Sequence, residues 1–154
     1  MKLVPIDSGN WEEAVLLTTN ADGIPTLEEE FVASNAYSML QAQYEEGWNI
    51  RGIEQDGHLI GFAMYGFNCE DHFYEICRLM IDRRFQSKGY GRKALRLIID
   101  EMGKICGTDK IYISAEPENT RALKLYLSEG FSDTGDFLDG EQLLVMKLPC
   151  NAVT

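Results

Sequence analysis

The chain contains 154 residues, a length typical of one domain with a substantial core. Hydrophobic residues make up 45% and charged residues 25%, and no apolar stretch approaches the roughly 20 residues that cross a bilayer. The net charge of −11 argues against a nucleic-acid partner, because phosphate backbones require a basic surface, and it is compatible with a cationic small substrate.

The N-terminus and the cysteines bear on compartment and metals. Residues 1–7 lack the apolar region of a signal peptide. Two histidines and four cysteines, with no Cys-x-x-Cys pair, give little support to a zinc site. We therefore expect a cytoplasmic protein with reduced thiols, no membrane association and no metal. Cys77 and Cys106 are predicted to be small core residues rather than nucleophiles.

The first part of the chain predicts one strand and two helices. Residues 2–6 form a short apolar run typical of a strand. Asn10, followed by Glu13, has the spacing of a capping box and predicts a short helix. Ser34 is a predicted cap for a second helix that runs to about Glu46.

Three β-type runs follow. Residues 48–55 and 58–67 are separated by Asp56-Gly57, a strong signal for a two-residue hairpin turn. Residues 73–82 form the next predicted strand, antiparallel to the second of these runs.

A basic, glycine-containing stretch comes next. Gln86-x-x-Gly89-x-Gly91 lies between the strand and an amphipathic helix, and seven of the 14 Lys and Arg residues fall between Arg78 and Arg96. Free amides and the positive end of the helix dipole would then converge on one point, which suits a phosphate or pyrophosphate. The alternative is a glycine-rich turn with a solvated basic face. The predicted buried face of the helix contains Leu95, Ile98, Ile99, Met102 and Cys106.

The last part of the chain alternates strands with one helix. A strand over residues 110–115 precedes a short helix capped by Asn119 or Thr120 and ended by Gly130. Asp139-Gly140 predicts a second hairpin. The final strands are predicted from Phe131 to the turn and over residues 142–148.

The predicted order is therefore β-α-α-β-β-β-α-β-α-β-β. This order indicates an α/β (α+β) domain over residues 1–148, followed by a flexible tail at 149–154. We expect about seven strands in a mixed, mostly antiparallel sheet, with about four helices and a parallel crossover around the basic loop.

At this point the sequence resembles the GCN5-related N-acetyltransferase (GNAT) family. Residues 86–91 are similar to the loop with which this family binds the pyrophosphate of acetyl-CoA, and residues 119–131 are similar to its second cofactor motif. Residues 31–38, residues 61–66 and the turn at 139–141 resemble the spermine/spermidine N-acetyltransferase branch. The resemblance implies a GNAT-like fold, acetyl-CoA as cofactor, a small amine as substrate and a homodimer.

The resemblance and the chemistry together suggest the cofactor contacts. Amides of the loop would bind the pyrophosphate, and an N–H from the end of the strand would polarise the thioester carbonyl. For the loop side chains the alternative is surface solubility. The predicted cofactor-binding residues are Leu79, Met80, Ile81, Arg84, Gln86, Ser87, Lys88, Gly89, Tyr90, Gly91, Arg92, Asn119, Thr120, Arg121 and Ala122.

Acetyl transfer also requires an acid and a base. Tyr126 matches the family's tyrosine and is predicted to protonate the leaving thiolate, the alternative being a packed tyrosine. Glu75 is the candidate base, acting directly or through water, unless it is an ordinary strand carboxylate. Glu28, Glu29 and Glu30 are predicted to bind substrate ammonium groups, or else form a solvated face.

The sequence therefore predicts an acetyl-CoA-dependent N-acetyltransferase that acts on a primary amine by direct attack in a ternary complex. A polyamine such as spermine or spermidine is the first expected acceptor. Other acceptors are a protein N-terminus, an amino acid or an aminoglycoside. A catalytically silent acyl-CoA or polyamine sensor is the alternative outside the enzyme class.

Overall fold

The computed structural model of the protein describes residues 1–105 and 107–149. The helices are α1 (Trp11–Leu16), α2 (Asn35–Tyr44), α3 (Tyr90–Met102) and α4 (Thr120–Ser128). The strands are β1 (Lys2–Pro5), β2 (Glu28–Glu29), β3 (Val32–Ala33), β4 (Trp48–Gln55), β5 (His58–Asn68), β6 (Phe73–Ile81), β7 (Lys110–Ala115), β8 (Ser132–Leu138) and β9 (Glu141–Lys147). A 3₁₀ turn at Arg83–Phe85 connects β6 to the loop before α3.

Seven strands form the main sheet in the order β1-β4-β5-β6-β7-β9-β8. Neighbours pair antiparallel except β6 and β7, which are parallel and connected through α3. The mixed, mostly antiparallel sheet and the parallel crossover that the sequence predicted are therefore confirmed.

The sheet is covered on both faces, because successive side chains of β5 point to opposite faces and both sets are apolar. Phe62 and Met64 pack in one cluster with Ala14 of α1, and Met39 of α2 packs against it. Tyr65 points to the opposite face, into a second cluster. That cluster contains the predicted apolar face of α3, with Leu95, Ile98 and Met102 fully buried and Ile99 packed against them.

Both predicted hairpin turns occur where the sequence placed them. Asp56 and Gly57 have φ values of 53° and 81°, and Asp139 and Gly140 have φ values of 49° and 84°. Positive φ at both central residues is the geometry that matches the twist of paired strands, and Asp-Gly tolerates it. These turns fix the registers of β4 with β5 and of β8 with β9.

The N-terminal half differs from the prediction in two respects. The capping box is wrong, because the Asn10 side chain accepts from the Asp7 amide and Glu13 accepts from the amide of Leu59. A further hairpin, β2–β3, forms within residues 28–33. The Ser34 cap is confirmed by a 3.1 Å bond from the Tyr37 amide, although α2 ends at Tyr44.

Within residues 1–105 and 107–149, no helix has both the length and the apolar character needed to cross a membrane. The predictions for Cys106 and for the tail from residue 150 onward fall outside the described residues.

Candidate active site

The gap between β6 and β7 forms the centre of the site. Their register joins Glu75 to Tyr112 and Ile76 to Ile113, and the pairing goes no further. On the other side of β6, Met64 and Tyr65 of β5 face Arg78 and Ile76, so Cys77 is the extra residue of a bulge. Beyond this bulge the two parallel strands diverge. A cavity of about 440 Å³, here called the reaction cavity, opens between them.

A larger cavity of about 930 Å³, the cofactor cavity, lies against the N-terminus of α3. Ser87 and Gly89 have positive φ values of 63° and 78°, which turns the chain so that successive amides precede the helix. The first turn of α3 leaves its N–H groups without intrahelical partners, and the helix dipole adds positive potential there. This loop therefore has the geometry of an anion site.

Most of the predicted cofactor residues line this cavity. They are Leu79, Ile81, Gln86, Ser87, Gly89, Tyr90, Gly91, Arg92, Asn119, Thr120, Arg121 and Ala122. Three predicted residues lie elsewhere. Met80 is buried in the core on the opposite face of the sheet, Arg84 binds Asp82 at 2.8 Å, and Lys88 lies 5.6 Å from the centre of the Phe85 ring.

Part of the basic cluster is used for internal ion pairs. Arg92 and Arg96 both bind Glu129 at the end of α4, whose side chain is only 6% exposed. Hydrogen bonds from Arg96 and then Arg92 lower the pKa of Glu129 below its ordinary value. These pairs attach α3 to α4 and hold Arg92 beside the cofactor cavity.

Tyr126 lies where the cofactor cavity meets the reaction cavity and lines both. The Asn119 side chain caps α4 by accepting from the Ala122 amide at 3.2 Å, and thus fixes the helix that carries Tyr126. The ring packs against Phe131, with centroids 6.1 Å apart. Burial first, and the charge of Glu141 second, raise the pKa of Tyr126 well above its ordinary value. Its hydroxyl is therefore a protonated donor at neutral pH.

A third cavity of about 610 Å³, the acceptor groove, opens on the other side of the reaction cavity. The two share Cys77, Arg78, Ser114 and Glu141. The groove is strongly acidic. Its carboxylates are Glu45, Glu46, Glu70, Asp71, Glu75, Asp139 and Glu141, and Arg78 is its cation among the described residues.

Glu75 is a buried wall of this groove, with 5% of its surface exposed. Asn68 Nδ2 donates to its Oε2 at 2.9 Å. Burial raises the pKa of Glu75 above its ordinary value of 4.5, and the Asn68 bond and the charge of Arg78 oppose the rise. Glu75 is thus a better proton acceptor than an exposed glutamate.

The three consecutive glutamates are divided between two cavities, and Glu29 lines the reaction cavity together with Glu28. Glu29 accepts hydrogen bonds from Thr18 Oγ1 at 2.5 Å and from the Thr19 amide and hydroxyl at 3.0 Å. Those contacts attach the β2–β3 hairpin to the end of α1. Glu28 lines the reaction cavity and Glu30 lines the cofactor cavity.

Phe31 and Glu141 are among the residues of the site to which the sequence reasoning gave no role. Phe31, at the tip of the β2–β3 hairpin with a φ of 67°, lines both the cofactor and the reaction cavities. Glu141 lines both the reaction cavity and the acceptor groove. The signals for Glu141 in the sequence were its place after the Asp139-Gly140 turn and the resemblance of that turn to the spermine/spermidine N-acetyltransferase branch.

The cysteine beside the reaction cavity is a poor nucleophile. Cys77 packs against the core cluster on the α1–α2 face. Burial raises the pKa of its thiol to about 12, so the thiolate is scarce at neutral pH. An acyl-enzyme on this cysteine has no chemical support.

The family model described as acetyltransferase (GNAT) family matches residues 16–131. The chain belongs to this family. It is therefore an N-acetyltransferase of the GNAT type, a family that uses acetyl-CoA. One relative, the spermine/spermidine N(1)-acetyltransferase of Bacillus subtilis (strain 168), is 34% identical over 107 residues, which cover 63% of this chain and 68% of that protein.

Solved structures bear out the GNAT fold. A chimera of the spermidine N-acetyltransferase SpeG from Vibrio cholerae and hSSAT has a TM-score of 0.71 at 19% identity, with 96% of each chain covered. The PaiA N-acetyltransferase of Thermoplasma acidophilum in complex with coenzyme A has a TM-score of 0.57 at 20% identity, covering 73% of this chain and 68% of that one.

Proposed function

We propose that this enzyme transfers the acetyl group of acetyl-CoA to a primary amine of a polyamine, such as spermine or spermidine. The observation that carries the proposal is the continuous path through the three cavities. An anion-binding loop lies at one end, Tyr126 at the junction, and a groove lined by acidic side chains at the other end.

The cofactor cavity fits acetyl-CoA. The amides before and within the first turn of α3 face an anion site, which suits the pyrophosphate. A Cβ built on Gly91 would meet nothing closer than Leu125 Cδ2 at 3.8 Å, so the backbone at this position is open. Leu79 and Ala122 line both this cavity and the reaction cavity, and they provide apolar surface along the route to the thioester.

The chemistry proceeds by direct attack within a ternary complex. A backbone N–H at the diverging end of β6 polarises the thioester carbonyl, and the amine nitrogen forms its bond to the carbonyl carbon. The carbon–sulfur bond breaks, and Tyr126 donates its proton to the departing thiolate. The amine loses one proton to the groove carboxylates, with Glu75 as a strong acceptor because its pKa is raised.

The groove suits an acceptor with several separated positive charges. A polyamine must have a neutral amine at the thioester while its other amines stay charged. Carboxylates along the groove, away from the reaction cavity, would hold those ammonium groups, and the net charge of −11 would attract them from solution. We further propose that the enzyme acts as a homodimer and in the cytoplasm.

An amino acid or peptide acceptor is the second candidate, favoured by Arg78. Its Nη1 donates to the Cys77 carbonyl at 2.9 Å, and its Nε is buried without a hydrogen-bond partner in the part of the chain that the structure describes. Nη1 also donates to Cys77 Sγ at 2.8 Å, and Nη2 makes only a long bond of 3.5 Å to Gln41 Oε1. Nη2 is therefore the donor that could bind a substrate carboxylate beside the reaction cavity.

A thiol-release screen with acetyl-CoA tests the proposal. The panel contains spermine, spermidine, diamines, monoamines, amino acids and peptides, with acetyl-CoA hydrolysis as the blank. We expect the highest kcat/KM for polyamines, with mass spectrometry showing one added acetyl group. A preference for amino acids would favour the Arg78 alternative. The absence of thiol release with every amine would contradict the proposed activity and favour a sensor.

A further inference from the structure

Glu141 holds a position that no other carboxylate in the described residues shares. It begins β9 directly after the Asp139-Gly140 turn, and it lines both the acceptor groove and the reaction cavity. The other groove carboxylates, Glu75 among them, do not line the reaction cavity within residues 1–105 and 107–149. An amine that moves from the groove to the thioester therefore passes Glu141.

The Glu141 side chain is oriented by a neighbouring strand. Ser114 of β7 donates its hydroxyl to Glu141 Oε2 at 2.5 Å. Ser114 lies one residue beyond Ile113, the last residue of β7 that pairs with β6, so this bond holds the carboxylate at the mouth of the gap. Within residues 1–105 and 107–149, Oε1 accepts no hydrogen bond, and it remains available to a ligand.

The charge of Glu141 also affects the pKa of the proposed proton donor, Tyr126, and that of the proposed proton acceptor, Glu75. It contributes to raising the pKa of Tyr126, second to burial, and it is a smaller contribution to the raised pKa of Glu75. Glu141 shares the reaction cavity with Tyr126 and the acceptor groove with Glu75, so it lies between the donor of the thiolate proton and the groove.

We propose that Glu141 contacts the reacting amine and is the first group to accept its proton. The assignment rests on the proposed acetyl transfer. The ammonium N–H proton passes to Glu141 Oε1, and the freed lone pair forms the new carbon–nitrogen bond. The carbon–sulfur bond breaks, and the thiolate takes the Tyr126 proton. The nitrogen loses its second proton as the amide forms, and this proton restores the Tyr126 hydroxyl. Glu75 is the next acceptor along the groove, and the proton leaves through it or through water.

Glu141→Gln tests this role, with Asp139→Asn as the matched control. Both variants remove one negative charge from the same groove, but Asp139 does not line the reaction cavity in the described part of the chain. We expect Glu141→Gln to lower kcat by about 10²- to 10⁴-fold, the usual range for a general base, without changing the Kd of CoA measured by calorimetry. Asp139→Asn should raise the KM for spermidine and keep kcat within about threefold.

The pH dependence separates a proton acceptor from a merely structural residue. A primary amine titrates near 10, so the fraction of neutral amine rises with pH and the need for a base falls. The kcat/KM deficit of Glu141→Gln should therefore shrink as pH rises from 7 to 10. It should also be smaller for a weakly basic amine that is already neutral at pH 7. Ser114→Ala should show a partial deficit of the same kind.

Wild-type kcat in Glu141→Gln, or an equal kcat loss in Asp139→Asn, would overturn the assignment. A deficit that stays constant with pH and with amine basicity would overturn it too. Failure of the wild-type enzyme to release thiol with any amine would instead contradict the proposed function.

Discussion

Asn68 Nδ2 donates a hydrogen bond to Glu75 Oε2 at 2.9 Å, so the last residue of β5 directly controls a buried carboxylate on β6. The same Asn68 side chain holds the following turn, because its Oδ1 accepts from the amides of Glu70 and Asp71 at 3.0 Å. Asn68 thus links the conformation of the groove wall to the proton affinity of Glu75.

The first prediction concerns pH. A protonated Glu75 cannot accept a proton, so kcat/KM should fall as pH falls through its raised pKa. Asn68→Asp keeps Oδ1 for the turn but replaces a donor with a negative charge, and both changes raise that pKa further. We expect the acid limb of the profile to move to higher pH. Asp71→Asn should move it to lower pH, because the Asp71 charge raises the pKa. If both variants shifted the acid limb in the same direction, Glu75 would not be the group that titrates there.

The second prediction concerns stability. Because the pKa of Glu75 is higher in the folded state than its ordinary value of 4.5, the fold favours the protonated form. The contribution of Glu75 to the free energy of unfolding is fully present below pH 4.5. It is lost as pH rises through the pKa that Glu75 has in the folded state. Glu75→Gln mimics the protonated form and can still accept from Asn68. We expect its Tm at pH 7 to equal or exceed that of the wild type while activity falls. A lower Tm at pH 7, measured by thermal unfolding, would contradict this.

The third prediction concerns the proton donor. Tyr126→Phe should lower kcat by roughly 10- to 1,000-fold, the scale of general acid catalysis, with little change in the Kd of acetyl-CoA. The variant keeps the ring that packs against Phe131, so the fold should persist. An acyl donor with a more acidic thiol as leaving group needs less protonation and should reduce the deficit. Unchanged kcat with acetyl-CoA would exclude Tyr126 from the mechanism.

The fourth prediction concerns the loop before α3. Gly91→Asp places a negative charge beside the pyrophosphate site and should weaken acetyl-CoA binding more than tenfold, since helix N-termini favour anions on the ligand. Gly91→Ala is the matched control, because a Cβ there makes only ordinary contacts with Leu125 and Ile81. Calorimetry on both folded variants measures the difference. Equal affinities would contradict the assignment of the loop.

Most of the fold could be predicted because its signals are local. Asp56-Gly57 and Asp139-Gly140 define two hairpins, and the 3.6-residue repeat of Leu95, Ile98 and Met102 defines the buried face of α3. The β2–β3 hairpin could not be predicted in this way. Its turn depends on Phe31 at a φ of 67°, a conformation that bulky residues rarely adopt, and tertiary contacts of Glu29 hold it.

The lining of the cofactor cavity could be predicted better than that of the acceptor groove for a physical reason. A pyrophosphate loop is continuous in sequence, so its glycines and the following helix appear in one stretch. The groove combines residues from the end of α2, the β5–β6 loop and the β8–β9 turn. Those segments meet only in the folded protein, and no spacing in the sequence relates Glu46 or Glu70 to Glu141.

The last prediction concerns which carboxylates hold the substrate. The sequence assigned this role to Glu28, Glu29 and Glu30, but Glu29 is engaged by Thr18 and Thr19, and Glu30 lines the cofactor cavity. If Glu28 and Glu30 bind the substrate, Glu28→Gln with Glu30→Gln should raise the KM for spermine or spermidine more than for a monoamine.

A second double variant, Glu46→Gln with Glu70→Gln, removes the same charge from the acceptor groove. If the groove holds the distal ammonium groups, this pair should raise the polyamine KM several-fold more than the monoamine KM. This increase in the polyamine KM should also be larger than the increase caused by Glu28→Gln with Glu30→Gln. Added salt should raise the polyamine KM of the wild type, because attraction over more than about 10 Å is largely screened at 0.1 M. It should raise the KM of the groove variant less. A larger effect from Glu28 and Glu30 would restore the original assignment. Equal losses for monoamine and polyamine in both pairs would show that neither set binds the distal charges.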